Sequence, residues 1–297
     1  MQNKDCFSGY HPAVSFLYFG MVILLAMFLM HLVCLGMSLA AAVAYNVYLN
    51  GRKGMRFSLV FMLPMMLLAA VVNPVFNHEG ATILRYLPSG NPLTAESIWY
   101  GIAAAVMLAS VLTWFACYTA VMTSDKFVYL FGRVIPALSL VLSMTLRFVP
   151  RFKAQMDTVR EAQASIGRDP GEGSVLERTK KAVTVLSIMI TWSLENAIHT
   201  ADSMRCRGYG LPGRSAFSIY TFDDRDRRAL LWLLFCGMTI AAGWAGGQYA
   251  WRYYPTMKGA LGPLPLYFQA VYLALCLTPL WVDIRDDNKW KRLQSET

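Results

Sequence analysis

Apolar runs long enough to cross a bilayer, separated by short polar turns, leave this chain few ways to fold in water. A spanning helix needs about 20 mostly apolar residues. Such runs occupy Ala13–Leu49, Phe57–Phe76, Ile98–Val121, Ala229–Trp251 and Leu264–Val282. The first is too long for one span and reads as two, a hairpin broken near Met30-His31. A signal peptide fits it poorly: only Lys4 forms an n-region, and apolar sequence continues past any cleavage site. The expected fold class is therefore all-α and polytopic, with about six transmembrane helices and both ends on one side. The span cores contain no Asp, Glu, Lys or Arg. Composition agrees: 56% of residues are apolar and 15% charged, against roughly 25% charged in soluble domains. This excludes disorder, coiled coil, collagen and an ordinary soluble enzyme.

The net charge of +9 must be placed before it is read. On a soluble protein it would raise nucleic acid; on a membrane protein, basic loops mark the cytoplasm. Arg52, Lys53 and Arg56 put the loop Gly51–Arg56 inside. Asn77–Ser97, rich in turn signals and carrying only Arg85, reads as external. Lys126 and Arg133 bring the chain back. Val134–Val149 is short, bounded by Pro136 and Pro150, and carries Arg147. If it crossed, the 14 Lys/Arg from Arg147 to Arg228 would face outward. A return through Ala182–Leu194 offers only about 20 Å of helix against a core of about 30 Å. The expectation is a helix at the inner face, with everything to Arg228 cytoplasmic. Arg252 and Lys258 lie in the last outer turn, and the tail with Lys289, Lys291 and Arg292 ends inside. Gly243 and Gly247 form either a small-xxx-small packing pair or ordinary tolerated glycines.

The chain offers little for chemistry. Its six cysteines include no C-x-x-C pair, and four lie in apolar runs as small hydrophobes. His11, His31, His78 and His199 are scattered, and there is no phosphate loop. Gly208–Gly213 matches G-x-G-x-x-G but follows a helix, not the strand that a dinucleotide site needs. No cofactor, metal or nucleic acid is expected on this chain.

The insert is more specific. One helix is expected over Arg151–Ile166, stopped by Gly167 and Pro170, and a second over Ser174–Arg207, stopped by Gly208. Along the second, Val183, Leu186, Ile190, Leu194, Ala197 and Ala201 recur at helical spacing. Such a face needs a protein partner or the membrane surface. Arg205 and Arg207 could simply complement a helix carboxyl end. Three regions follow: membrane helices in 1–133, an inner-face helix and cytoplasmic helical module in 134–228, and the last spans with the tail in 229–297.

Four stretches carry a family likeness: Asn73-Pro74-Val75-Phe76-Asn77-His78-Glu79-Gly80, Leu146-Arg147-Phe148-Val149-Pro150, Glu161-Ala162-Gln163, and Ala201 to Gly210. On them the chain resembles the transmembrane T-component of energy-coupling factor transporters, the EcfT/CbiQ family. The resemblance implies a non-catalytic coupling subunit of an ATP-driven importer of vitamins or metal ions in a bacterial or archaeal plasma membrane. Its implied partners are two cytoplasmic ABC-type ATPases, which bind the ATP, and a membrane-embedded substrate-binding subunit. Two Ala-Arg-Gly-like motifs that dock the ATPases would map onto Ser165-Ile166-Gly167 and Cys206-Arg207-Gly208. Ile166 replaces the first arginine, and Arg168 stands one place beyond Gly167. Two alternatives are a membrane enzyme acting on lipid-linked substrates, which would need intramembrane ionisable groups, and a stand-alone carrier. A carrier needs polar groups near mid-membrane, and its one good candidate, Asn73-Pro74, sits near a span's outer end.

Overall fold

The computed structural model describes residues 6–86, 92–132, 135–169, 171, 173–209, 211, 220–259 and 262–295. It divides into two compact units, residues 1–126 with 220–297, and residues 127–219.

The first unit is a helix bundle. Helices α1 (Pro12–Phe28) and α2 (Leu32–Asn50) form the expected hairpin, broken at Leu29–His31. There the Tyr253 hydroxyl donates to the Met30 carbonyl at 2.8 Å, satisfying backbone that the helices leave open. Gly51, at φ 54°, turns the chain into α3 (Arg52–Phe57). The expected basic loop is therefore helical. A π turn over Ser58–Met62, just before Pro64, joins it to α4 (Leu63–Phe76). Proline donates no backbone hydrogen bond, and a wide turn accommodates that loss.

Strands β1 (Ile83–Tyr86) and β2 (Pro92–Thr94) pair antiparallel in the segment expected to hold only turns. Helix α5 (Ala95–Val121) then packs against α1, α2 and α4. Helix α6 (Ser124–Gly132) follows. Later in the chain, α9 (Asp224–Ala245) stops earlier than expected, and Trp251–Arg252 and Lys258–Gly259 pair as β3 and β4. The last helix, α10 (Pro263–Ser295), runs on through the supposed tail, where no Gly or Pro interrupts it. (The second unit supplies α7 and α8, below.)

Length and apolarity suit five of these helical stretches to spanning: Leu32–Asn50, Arg52–Phe76, Ala95–Val121, Asp224–Ala245 and Pro263–Gln294. The 17 residues of α1 sit at the short end of the spanning range. This is an all-α, multi-pass membrane protein.

Aromatic packing and buried hydroxyls hold the bundle. Trp114 of α5 is fully buried among Tyr18, Phe19 and Tyr45. Its indole donates to the Ser38 hydroxyl at 3.1 Å, which is 2.8 Å from that of Ser110. Such pairs hold helices together where lipid removes the hydrophobic drive between them. Of the two glycines considered for close packing, Gly243 faces Phe268, where a Cβ would meet the ring at 2.7 Å. Gly247 instead turns the chain at φ 70° with nothing within 4 Å. At one end, the amide of Phe7 donates to Asp283 of α10 and the Arg225 guanidinium to the Gly9 carbonyl. The start of the chain and the far half of α10 therefore share an end of the bundle.

Candidate functional site

The second unit is a helical hairpin. Helix α7 (Pro136–Ser165) runs unbroken for 30 residues. This corrects the expectation of one helix ending near Val149 and another from Arg151 to Ile166; position 134 lies outside the described residues. Pro150 sits inside α7, and both it and Leu146, the carbonyl it leaves unbonded, are exposed. Helix α8 (Val175–Cys206) begins with a capping box, in which Ser174 and Glu177 each accept from the other's backbone amide. The helices pack antiparallel through Phe152 and Val159 of α7 and Val185, Met189 and Trp192 of α8. Neither is among the stretches suited to spanning.

Both helices end in the same way. Gly167 and Gly208 each adopt φ 75°. At the first end Gly167 N–H donates to Ala164 O at 2.9 Å and Arg168 N–H to Gln163 O at 2.9 Å. At the second, Gly208 N–H donates to Arg205 O at 3.0 Å and Tyr209 N–H to Met204 O at 3.1 Å. Both are Schellman motifs, whose left-handed residue favours glycine. Superposed by this pattern, Ser165 corresponds to Cys206, Ile166 to Arg207, and Arg168 to Tyr209. Ile166 thus holds the place of Arg207 and leaves 63% of its surface exposed. Arg168 occupies the next position and lines a hollow of about 280 Å³ with Glu177, Lys180 and Lys181 of α8. The two ends lie at opposite poles of the hairpin. Glu177 beside the first and Arg207 at the second are 30 residues apart on one straight element, roughly 45 Å.

The apolar stripe points away from α7. Val183, Leu186, Ile190 and Leu194 each leave more than half their surface exposed, and Ala197 and Ala201 are exposed too. The face that meets α7 is the alternate set, Val185 and Met189. Helical periodicity alone could not say which apolar side faced inward.

Asn73–Gly80 forms a clasp between helices. The Asn73 amide donates to Ser97 O at 2.8 Å, Ser97 Oγ to Asn77 O at 2.7 Å, and the Asn77 amide to the Tyr254 hydroxyl at 3.0 Å. Thr82 donates to Glu96 through both its amide and its hydroxyl. Gly80, at φ 142°, lies where a Cβ would come within 2.7 Å of Glu96. The side-chain amide that a carrier would offer its cargo is engaged in holding α4 to α5. Ser97, Glu96 and Tyr254 carried no sequence signal, because their role depends on contact across 14 to 177 residues.

Among the described residues no three His, Cys, Asp or Glu side chains gather as metal ligands. The Gly208–Gly213 stretch follows a helix as expected, and positions 210, 212 and 213 lie outside the described residues.

Fold and site together define a multi-pass membrane protein carrying a helical hairpin with two matched, glycine-terminated ends. Residues 8–218 match the profile of the CbiQ family, described as a cobalt transport protein. The chain belongs to that family, whose members are non-enzymatic transport subunits. It is 26% identical over 204 residues to the energy-coupling factor transporter transmembrane protein EcfT 1 of Listeria monocytogenes, covering 66% of this chain and 75% of that one. It is 28% identical over 229 residues to the EcfT protein of Bacillus selenitireducens, covering 73% and 82%. A shorter match to the EcfT protein of Lacticaseibacillus paracasei is 34% identical over 107 residues, covering 36% and 39%. Membership sets aside the membrane-enzyme reading.

Proposed function

We propose that this chain is the coupling subunit of an ATP-driven importer of energy-coupling factor type. It joins two cytoplasmic ABC-type ATPases to a membrane-embedded substrate-binding subunit that carries a vitamin or a metal ion. ATP is bound by the ATPases and cargo by the substrate-binding subunit. The chain sits in a bacterial or archaeal plasma membrane with both termini and the region 134–228 cytoplasmic. Regions 1–133 and 229–297 hold it in the bilayer.

The observation that carries this reading is the pair of matched helix ends, about 45 Å apart along α8. Two separated, rigid tips suit two separate partner subunits better than one. At the second tip Arg207 offers a fixed, always charged fork for a partner carboxylate, with Cys206 and Gly208 setting its base. At the first tip Ser165, Ile166 and Gly167 offer an apolar knob, with Arg168 beside it. The exposed stripe Val183–Ala201 supplies an apolar face for the membrane-embedded subunit. A stiff helix joining the face to the tip lets ATPase movement reach that subunit. The family and the relatives named for energy-coupling factor transport point the same way.

The test is reconstitution. The chain, its ATPases and the substrate-binding subunit in vesicles should show ATP-dependent uptake that is lost when this chain is omitted. Full uptake without it would overturn the reading.

A further inference from the structure

The hairpin holds a second feature, which the matched ends do not explain. Between the first half of α7 and the last turns of α8 lies an open cleft of about 500 Å³. Arg147 and Arg151, one turn apart on α7, line it, and Arg207 and His199 line it from α8. Ser143, Thr200 and Ser203 add hydroxyls. Among the described residues lining it none is Asp or Glu. Like charges one helical turn apart repel, so a fold gains nothing by collecting them without a counter-charge. Arg151 makes a cation–π contact with Trp192, at 5.8 Å from the ring centre, which leaves its charge unneutralised.

The rest of the cleft is apolar. Leu140, Met144 and Phe148 of α7 and Met204 of α8 line it beside the arginines. A soluble phosphate would have no use for that half. An acidic protein segment would leave it uncovered. The sequence of α7 supplies the context: residues 136–146 carry no charge but cover only about 17 Å of helix, half a bilayer core. Arg147 comes at the end of that stretch, where uncharged sequence gives way to charged sequence. Trp192, beside Arg151, is a residue type enriched at membrane–water interfaces.

We propose that this cleft binds an anionic phospholipid of the cytoplasmic leaflet. Arg147 and Arg151 hold its phosphate oxygens, with Ser143 and Ser203 as further donors, and Leu140 and Met144 receive the first methylenes of an acyl chain. Basic pockets on the cytoplasmic side of membrane proteins bind such headgroups. The cleft borders the second tip through Arg207, but its two central residues lie on α7 and belong to neither helix end, so the lipid can be tested separately from ATPase docking.

The experiment is native mass spectrometry of the full chain in detergent, titrated with dioctanoyl phosphatidylglycerol. Dioctanoyl phosphatidylcholine and inorganic phosphate form the comparison arms. The anionic lipid should bind, the zwitterionic one only weakly, and equimolar phosphate should not displace it. Arg147→Gln with Arg151→Gln should weaken binding about thirtyfold, taking about fivefold for each basic residue lost. Lys153→Gln with Arg160→Gln removes the same charge elsewhere on α7 and should leave binding unchanged. Equal binding of the two lipids by the unmodified chain would overturn the proposal whether or not the variant folds. So would displacement by phosphate, or unchanged binding in the cleft variant. A cleft variant that keeps its lipid and loses co-purifying ATPases would assign the cleft to a protein partner instead. Loss of lipid with ATPases retained supports the proposal, and failure of the ATPases to bind Arg207 would leave it standing.

Discussion

Replacing Gly208 with alanine should disable the second helix tip while leaving the chain folded. At φ 75° an L-residue is strained by roughly 1–2 kcal/mol. Crowding adds little, because a new Cβ would meet only the flexible end of Leu211, at 3.2 Å. The strain can be relieved by surrendering the two hydrogen bonds that close the helix, Gly208 to Arg205 and Tyr209 to Met204. The intact tip then becomes about 5–30 times less populated relative to the frayed one. Arg207 would project from a loose base. Retention of the ATPases on an affinity column should fall by a similar factor, with elution volume and helicity unchanged. Gly208→Asn should recover most of the loss, since asparagine tolerates the left-handed region. Gly167→Ala is the matched change at the first tip, with the same φ and nothing within 4 Å. Wild-type assembly in Gly208→Ala, with Gly208→Asn no different, would refute the reasoning.

Ile166→Ala should cost the chain's own stability less than about 1 kcal/mol, because most of that side chain is exposed, and should weaken ATPase co-purification by roughly 1–3 kcal/mol, the packing of one apolar knob buried on docking. Arg168→Ala should behave as an ordinary surface change, since Arg168 does not hold the place of Arg207; a loss matching that of Arg207→Ala in the same co-purification would mean it carries the first tip's charge. Burial, then the neighbouring Asp286 carboxylate, push the Cys6 thiol up to about 11. At pH 8 it should react with maleimide about two orders of magnitude more slowly than a free thiol in solution, whose pKa is near 8.5, whereas Cys206 lies exposed to the reagent. An impermeant reagent added to intact cells should label neither, and labelling of Cys206 from outside would overturn the topology. The purified chain alone should not hydrolyse ATP, and turnover that survives removal of contaminating ATPases would contradict this.

The spans were legible because lipid imposes a length and an apolarity that composition shows directly. Their edges were not. Arg52–Phe57 and Asp283–Ser295 carry charges that mark sidedness, but charge does not break a helix, and the helices run through both. Pro150 reads as a boundary in the sequence, yet α7 runs through it, with Pro150 and the Leu146 carbonyl on the exposed side. At the hairpin, Gly167 and Gly208 gave both stopping points correctly, because the Schellman turn needs a left-handed residue. The equivalence of Ile166 with Arg207 follows from aligning the motif, and the two residues hold the same place in their Schellman turns. The arginine cluster of the cleft stayed hidden, since Arg147 and Arg207 are 60 residues apart and only the antiparallel packing of α7 on α8 unites them.

The most direct test of the coupling role is Arg207→Ala, with ATPase co-purification and cargo uptake measured on the same preparation. Arg207 is exposed, so its loss should change the chain's own stability by no more than about 0.5 kcal/mol. In the assembly, losing one partner of a buried charge pair costs roughly 2–5 kcal/mol, about 30-fold to several thousandfold. The account predicts a stable, correctly inserted chain that has lost its ATPases and its uptake. A variant that keeps both at wild-type levels would contradict it.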